Sequence, residues 1–318
     1  MQAGRSAQFL LAASVKVCHR ERMAGTTILC FGEALWDCLP KGLFAGGAPI
    51  NVAYHLRQFG LNALPVTAVG GDFLGGEILR RFRYWQLAKD HTGQVDKLTG
   101  AVVVDLDDAG VASYKFLEDV AWDHIPVTAQ LKEAAATAGA LVFGTLAQRS
   151  ASNQSALSEL RTAAGNAKQV YDVNLRPPYD SPGLVWKLTV GCDLIKLNDD
   201  ELLRLLDIPD KNADLDVAAR RFSGEAKCDR ICVTAGKRGA GLLWEGQWSF
   251  DPPQPIKVKD TVGAGDSFLA ALLHGWLEAK LEPAANLHRA ARVAEFIATC
   301  DGATPQYKLD ERGYPVVS

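Results

Sequence analysis

Short apolar runs, each stopping at a glycine or a polar cluster, alternate along this chain with stretches whose apolar residues recur at helical spacing. Thr26-Thr-Ile-Leu-Cys-Phe-Gly32, Pro65-Val-Thr-Ala-Val-Gly70, Leu141-Val-Phe-Gly144, Val170-Tyr-Asp-Val173, Leu194-Ile-Lys-Leu197 and Ile231-Cys-Val-Thr234 read as buried strands. Helical segments lie between them. One starts at Pro49, carries Val52, Leu56 and Phe59, and stops at Gly60. Another opens at Asp72, and a third holds Leu269-Ala-Ala-Leu-Leu273 with Trp276 and Leu277. This alternation predicts an α/β fold with a mostly parallel sheet covered on both faces. One region breaks the pattern: Ala101-Val-Val-Val104 and Val111-Ala-Ser-Tyr-Lys-Phe116 flank Asp107-Asp-Ala-Gly110 with no helix between. Such a hairpin should protrude, and with an excursion at Lys41 to Phe44 it predicts a small β lid, over about 38–46 and 98–121.

Composition narrows the function classes. At 318 residues and 48% hydrophobic content, the chain can bury a full core as one large domain. A net charge of -3 gives no general attraction to nucleic acid or anionic lipid, so any phosphate binding must be local. The apolar run Phe9 to Val15 is far shorter than the ~20 residues of a membrane span. Seven scattered cysteines without CxxC spacing indicate a reducing, cytoplasmic setting rather than a disulfide framework or a zinc site. Residues 1–22 carry Arg5, Lys16, Arg20 and Arg22 against Glu21 alone, and hold no motif. They make a poor secretory signal and are expected to be a disordered leader or a misassigned start, with the body at 23–318 beginning at Met23. A homodimer stays open.

The candidate chemistry gathers in a few glycine-rich places. Asp260-Thr-Val-Gly-Ala-Gly-Asp-Ser-Phe268 leads into a helix, and Gly263, Ala264 and Gly265 let successive N–H groups turn inward. A turn of this kind at a helix N-terminus makes an anion hole. Asp266 within it is an N-cap by one reading and a general base by the other. Far upstream, Gly46-Gly-Ala-Pro-Ile-Asn-Val-Ala53 puts Gly46, Gly47 and Asn51 at another helix start. The G-x-G-x-x-G spacing of dinucleotide sites is absent there, so close approach of a polyol to glycine, with Asn51 donating and accepting, is the better reading. Asp37 is expected just past the first strand, at the edge where open α/β sheets bind ligands. Asn174 and Arg176 follow another strand, and Arg176 beside a phosphate would counter its charge. Asn198 and Glu201 are spaced as a capping box, and Thr234-Ala-Gly-Lys-Arg-Gly239 is a glycine turn after a strand.

Together, Gly46 to Ala53 and Asp260 to Phe268 resemble the two signatures of the PfkB (ribokinase-like) sugar kinases, over a span from about Ile28 to Pro305. Gly32-Glu-Ala-Leu-Trp-Asp37, Asn51-Val-Ala-Tyr-His-Leu-Arg57 and Asp172-Val-Asn-Leu-Arg-Pro-Pro178 are most similar to bacterial fructokinases. Ala271 departs from the glycine usual there, a change expected to touch packing more than chemistry. The resemblance implies a ribokinase-like three-layer α/β/α domain with a lid that phosphorylates a small sugar from ATP and Mg²⁺. It implies Asp266 as base, the Gly263 to Gly265 amides and Arg176 around the transferred phosphoryl group, and Asp37, Gly46, Gly47 and Asn51 on the sugar. Lys196, Asn198, Glu201, Thr234, Gly236 and Gly239 would serve the nucleotide and its magnesium. A K⁺ site would use carbonyls near Asp260, Val262, Ile297, Cys300 and Gly302. Fructose is the favoured acceptor, with 2-keto-3-deoxygluconate, ribose or a nucleoside as rivals. A catalytically silent relative would be free to lose Asp266 and its glycines, which are intact here.

Overall fold

A computed structural model describes residues 25–39, 42–106 and 112–316. The leader and the turn at Asp107 to Gly110 lie outside these residues. The chain runs through β1 (Thr27–Phe31), β2 (Leu35–Leu39), β3 (Gly42–Gly46), α1 (Ala48–Gln58), β4 (Asn62–Gly70), α2 (Phe73–Tyr84) and β5 (Thr92–Val95). β6 (Gly100–Leu106) and β7 (Ala112–Phe116) form a hairpin, and α3 (Ala129–Ala136), β8 (Ala140–Gly144), α4 (Ala151–Ala164), β9 (Lys168–Asp172), α5 (Pro182–Thr189) and β10 (Leu194–Asn198) follow. The last part holds α6 (Asp199–Leu205), α7 (Leu215–Ala226), β11 (Arg230–Thr234), β12 (Ala240–Trp244), β13 (Gln247–Asp251), α8 (Ala264–Leu277), α9 (Pro283–Ala298), β14 (Lys308–Leu309) and β15 (Pro315–Val316).

The central sheet has the order β13-β12-β11-β10-β9-β8-β1-β4-β5. Every pair from β11 to β5 is parallel, and β12 and β13 add antiparallel strands at one edge. Along β1, Ile28 and Cys30 point into one core with α1, α2, α8 and α9, while Leu29 and Phe31 point into a second with α3 to α7. All four are fully buried, which is why the run shows no polar alternation. Three layers result, as the pattern predicted. Among the described residues no helix is long and apolar enough to cross a membrane.

The lid is a separate four-stranded sheet in the order β3-β2-β6-β7. It starts earlier than expected, at Leu35, and the anticipated excursion is the full strand β3. Asp37 is therefore a mid-strand lid residue opposite Phe44, not a residue just past β1. The chain leaves the central sheet at Gly32 and enters a new sheet within three residues. At the lid's root, Asp72 caps α2 by accepting from Gly75 N at 2.7 Å, and also accepts from Thr99 N at 2.7 Å and Thr99 Oγ1 at 2.6 Å. One carboxylate thus ties a core helix to the start of β6. Ala271 sits fully buried in α8, and its carbonyl accepts from Arg289 at 2.8 Å.

Candidate active site

Gly47 caps α1 at φ 110°, and a Cβ there would collide with the carbonyl oxygen of Glu33. Only glycine lets the chain turn that tightly from the lid into the helix. Pro49 follows in the first turn, and Asn51 comes next to face α8. From there Asn51 Nδ2 donates to Asp266 Oδ2 at 2.8 Å, while Asn51 Oδ1 is buried without a protein partner among the described residues. Asp266 lies in the first turn of α8, behind Gly263, which holds φ 78° at the helix start. Ser267 N is the first to reach Gly263 O, at 2.9 Å, and Ala264 N reaches Thr261 O at 3.3 Å. The amides of Gly265 and Asp266 are thus the orphan donors of a helix N-terminus.

Electrostatics set Asp266 apart from an ordinary cap. Burial, then the charge of Asp172, raise its pKa to about 6, although the Asn51 hydrogen bond, Lys196 and Arg176 oppose them. Asp37 is raised to about 6 by burial, with Arg176 opposing. It lies under Gly46, where a Cβ would come 2.6 Å from Asp37 Oδ2. Arg176 is half-buried, and its charge acts on Asp37, Asp266 and Glu33 together. Asn51 bonds Asp266, and the charge of Arg176 reaches both Asp37 and Asp266, so four separate segments are brought near one another here.

On the opposite side of the turn, Lys196 is buried and paired with Asp172 at 2.9 Å. Burial works against its charge, but Asp172, with Glu201 and Asp266, more than offsets it, so the ammonium stays protonated. A Cβ on Gly265 would come 3.4 Å from its Nζ, which puts this cation against the turn at Gly265. Asn198 and Glu201 close a reciprocal capping box at α6, with both bonds at 2.8 Å, and Glu201 Oε1 accepts from Leu175 N at 2.8 Å. Glu201 therefore fixes the loop that carries Arg176. Gly236 and Gly239 shape the β11–β12 turn, where Ala235 N reaches Gly239 O at 2.8 Å, and Thr234 ends β11.

The segments expected to hold a monovalent ion meet. Asp260 accepts from Val262 N at 3.0 Å and from Gly302 N at 3.3 Å, and Asp260 N reaches Ala298 O at 3.3 Å. The Ile297 carbonyl is engaged by Cys300 N at 2.9 Å.

With these positions fixed, the comparison with known proteins has a decisive outcome: the profile of the pfkB family carbohydrate kinases matches residues 40–309. The chain belongs to that family. It is a phosphotransferase that uses an alcohol group as acceptor. The kinase is 28% identical over 262 residues to the fructokinase of Salmonella typhimurium, covering 76% of this chain and 81% of that protein. It is 25% identical over 280 residues to the fructoselysine 6-kinase of Shigella flexneri, covering 85% and 97% of the two chains. The crystal structure of Xylella fastidiosa fructokinase with bound ATP matches with a TM-score of 0.75 at 24% identity, over 87% of this chain and 94% of that one. That likeness is one of fold.

Two site residues of the kinase went unread in the sequence. Glu33 is buried, accepts from Ala48 N at 3.2 Å through Oε1, and leaves Oε2 buried without a protein partner among the described residues. Burial raises its pKa to about 7. With Asp172 and Asn174 it lines a cavity of about 10 Å³, room for one water. Asp172 is the other, and its signal was available: β9 and β10 are parallel neighbours, and their register sets Asp172 beside Lys196.

Proposed function

We propose that this kinase transfers the γ-phosphoryl group of ATP to a hydroxyl of a small sugar, with fructose as the preferred acceptor. The observation that carries the proposal is the 2.8 Å hydrogen bond between Asn51 and Asp266, which joins the acceptor-side helix to the anion hole across 215 residues of sequence. Asn51 occupies Asp266 Oδ2 and leaves Oδ1 to take the acceptor proton. A carboxyl with a pKa of about 6 is mostly ionised at neutral pH yet more basic than an ordinary aspartate. Asp37 accepts from sugar hydroxyls, and Gly46 and Gly47 admit them close to the backbone. Arg176 and the amides of Gly265 and Asp266 face the charge that develops during transfer.

The residues present fit a bound nucleotide: a methyl-free Gly265, its orphan amide and a buried cation against it form an anion cradle. Bound ATP supplies the phosphoryl group, and Mg²⁺ carried with it shields the phosphate oxygens. Thr234, Gly236 and Gly239 would line the phosphates. Glu201 and Asn198 keep acceptor capacity for metal-bound water beyond the cap they close. Six described cysteines are free, which supports a cytoplasmic setting.

Fructose is favoured by the fructokinase relative, while the fructoselysine 6-kinase relative keeps other acceptors in the panel. Purified protein with ATP and Mg²⁺ should be assayed for ADP release against fructose, fructoselysine, 2-keto-3-deoxygluconate, ribose and a nucleoside. Fructose is expected to give the highest kcat/KM. A different winner replaces the acceptor, and turnover with none of the five refutes the small-sugar reading.

A further inference from the structure

One turn beyond Asn51, on the same face of α1, His55 is fully buried. Its Nε2 is 2.9 Å from Ala303 O, and its Nδ1 is 2.8 Å from the Tyr307 hydroxyl. A carbonyl only accepts, so the proton sits on Nε2, and Nδ1 accepts from Tyr307. Burial lowers the imidazole pKa to about 4, in keeping with this neutral tautomer. The Tyr307 ring stacks on the imidazole at 5.8 Å and is itself pinned edge-on by Phe296 of α9.

Ala303 is not an arbitrary partner. It forms the wall of the anion hole: a Cβ on Gly263 would come 2.6 Å from Ala303 Cα and 2.8 Å from its carbonyl oxygen. The segment around Ala303 has neither helix nor strand to hold it. It is held by His55, by Tyr54 Oη donating to Pro305 O at 2.7 Å and by Gly302 N donating to Asp260 at 3.3 Å, with Lys259 on Asp301 and Gln306 on Tyr84 tying its two ends at the surface. Packing alone would be served by an apolar side chain, without the cost of burying two ring nitrogens.

We propose that His55 is a positioning residue for phosphoryl transfer, which by holding Ala303 sets the wall against which Gly263 presents the anion hole. In this arrangement α1 supports both halves of the turn: Asn51 aims the Asp266 carboxylate, and His55 fixes the backbone of Gly263 from behind. The inference rests on the assignment of the Gly263 turn to phosphate.

The test compares His55→Phe, His55→Gln and Asp266→Asn with the parent enzyme, measuring kcat, KM for ATP and for the best sugar, and melting temperature. Phe fills the space without a donor, whereas the Gln amide can reach Ala303 O from about the place of Nε2. His55→Phe is expected to lower kcat about 10- to 100-fold, the scale for small displacements of catalytic groups, with sugar KM within about threefold of the parent. His55→Gln is expected to recover most of that loss even if its melting temperature stays low. If His55→Phe does not fold, His55→Asn, which keeps the Tyr307 contact and loses the Ala303 one, takes its place with the same expectation. Turnover within about threefold of the parent, or losses in Phe and Gln that merely follow melting temperature, would overturn the role. An inactive Asp266→Asn beside an unimpaired His55→Phe removes this inference alone, while an active Asp266→Asn removes the site assignment beneath it.

Discussion

Asp266→Asn should inactivate the kinase and stabilise it at once. The substitution is nearly isosteric, and the new side chain can still accept from Asn51 through its carbonyl oxygen. What is lost is the base, which for general base catalysis is worth about 10²–10⁴-fold in turnover. The stability effect follows from the raised pKa. The folded protein holds the Asp266 proton up to about pH 6, whereas an unfolded chain releases it near the ordinary aspartate value. Above pH 6 the native state therefore carries a charge it disfavours. The full shift would correspond to roughly 3 kcal/mol, and solvent access to the half-buried first turn trims this to ~1–2 kcal/mol. Below the unfolded value both states are protonated and the cost vanishes. Asp266→Asn should thus melt higher than the parent at pH 7 to 8, and the gap should close as pH falls from 6 towards 4. Calorimetric scans across that range, beside a coupled assay of ADP release, read both effects. Turnover within a few-fold of the parent would end the base assignment; a variant less stable than the parent at every pH would refute the electrostatic reasoning.

Three further outcomes are expected. Asp37→Ala should weaken sugar binding by about 1.5–3 kcal/mol with little change for a non-hydrolysable ATP analogue, and calorimetric titrations that weaken both ligands equally would remove Asp37 from the sugar site. Gly47→Ala, forced into φ 110° against the Glu33 carbonyl, should cost at least ~2 kcal/mol in urea unfolding, and a neutral change would mean that the loop relaxes freely. K⁺ should raise turnover over Na⁺ by ordering the meeting of Asp260 and Gly302 behind the anion hole, so equal rates in the two salts and in cation-poor buffer would count against an ion there.

The sequence by itself determined the layers and the local devices. Strands buried on both faces must be apolar throughout, so β1, β8, β9, β10 and β11 were legible as runs, and the helix start at Asp72 and the cap at Asn198 were legible because a side chain bonding its own helix start needs only neighbours. The glycine turn before Asp266 was legible for the same reason. Strands β2, β3, β5 and β13 were not read as such, because short, partly exposed segments owe their form to the strands they pair with. That is also why Asp37 moved from a sheet edge into a lid strand. The site as a working unit belongs to the tertiary structure alone. Asn51 meeting Asp266, His55 reaching Ala303 and Lys196 lying against Gly265 each join residues remote in sequence. The raised pKa values of Glu33, Asp37 and Asp266 arise only once the packed layers have removed water from carboxylates that would be ordinary in an open chain.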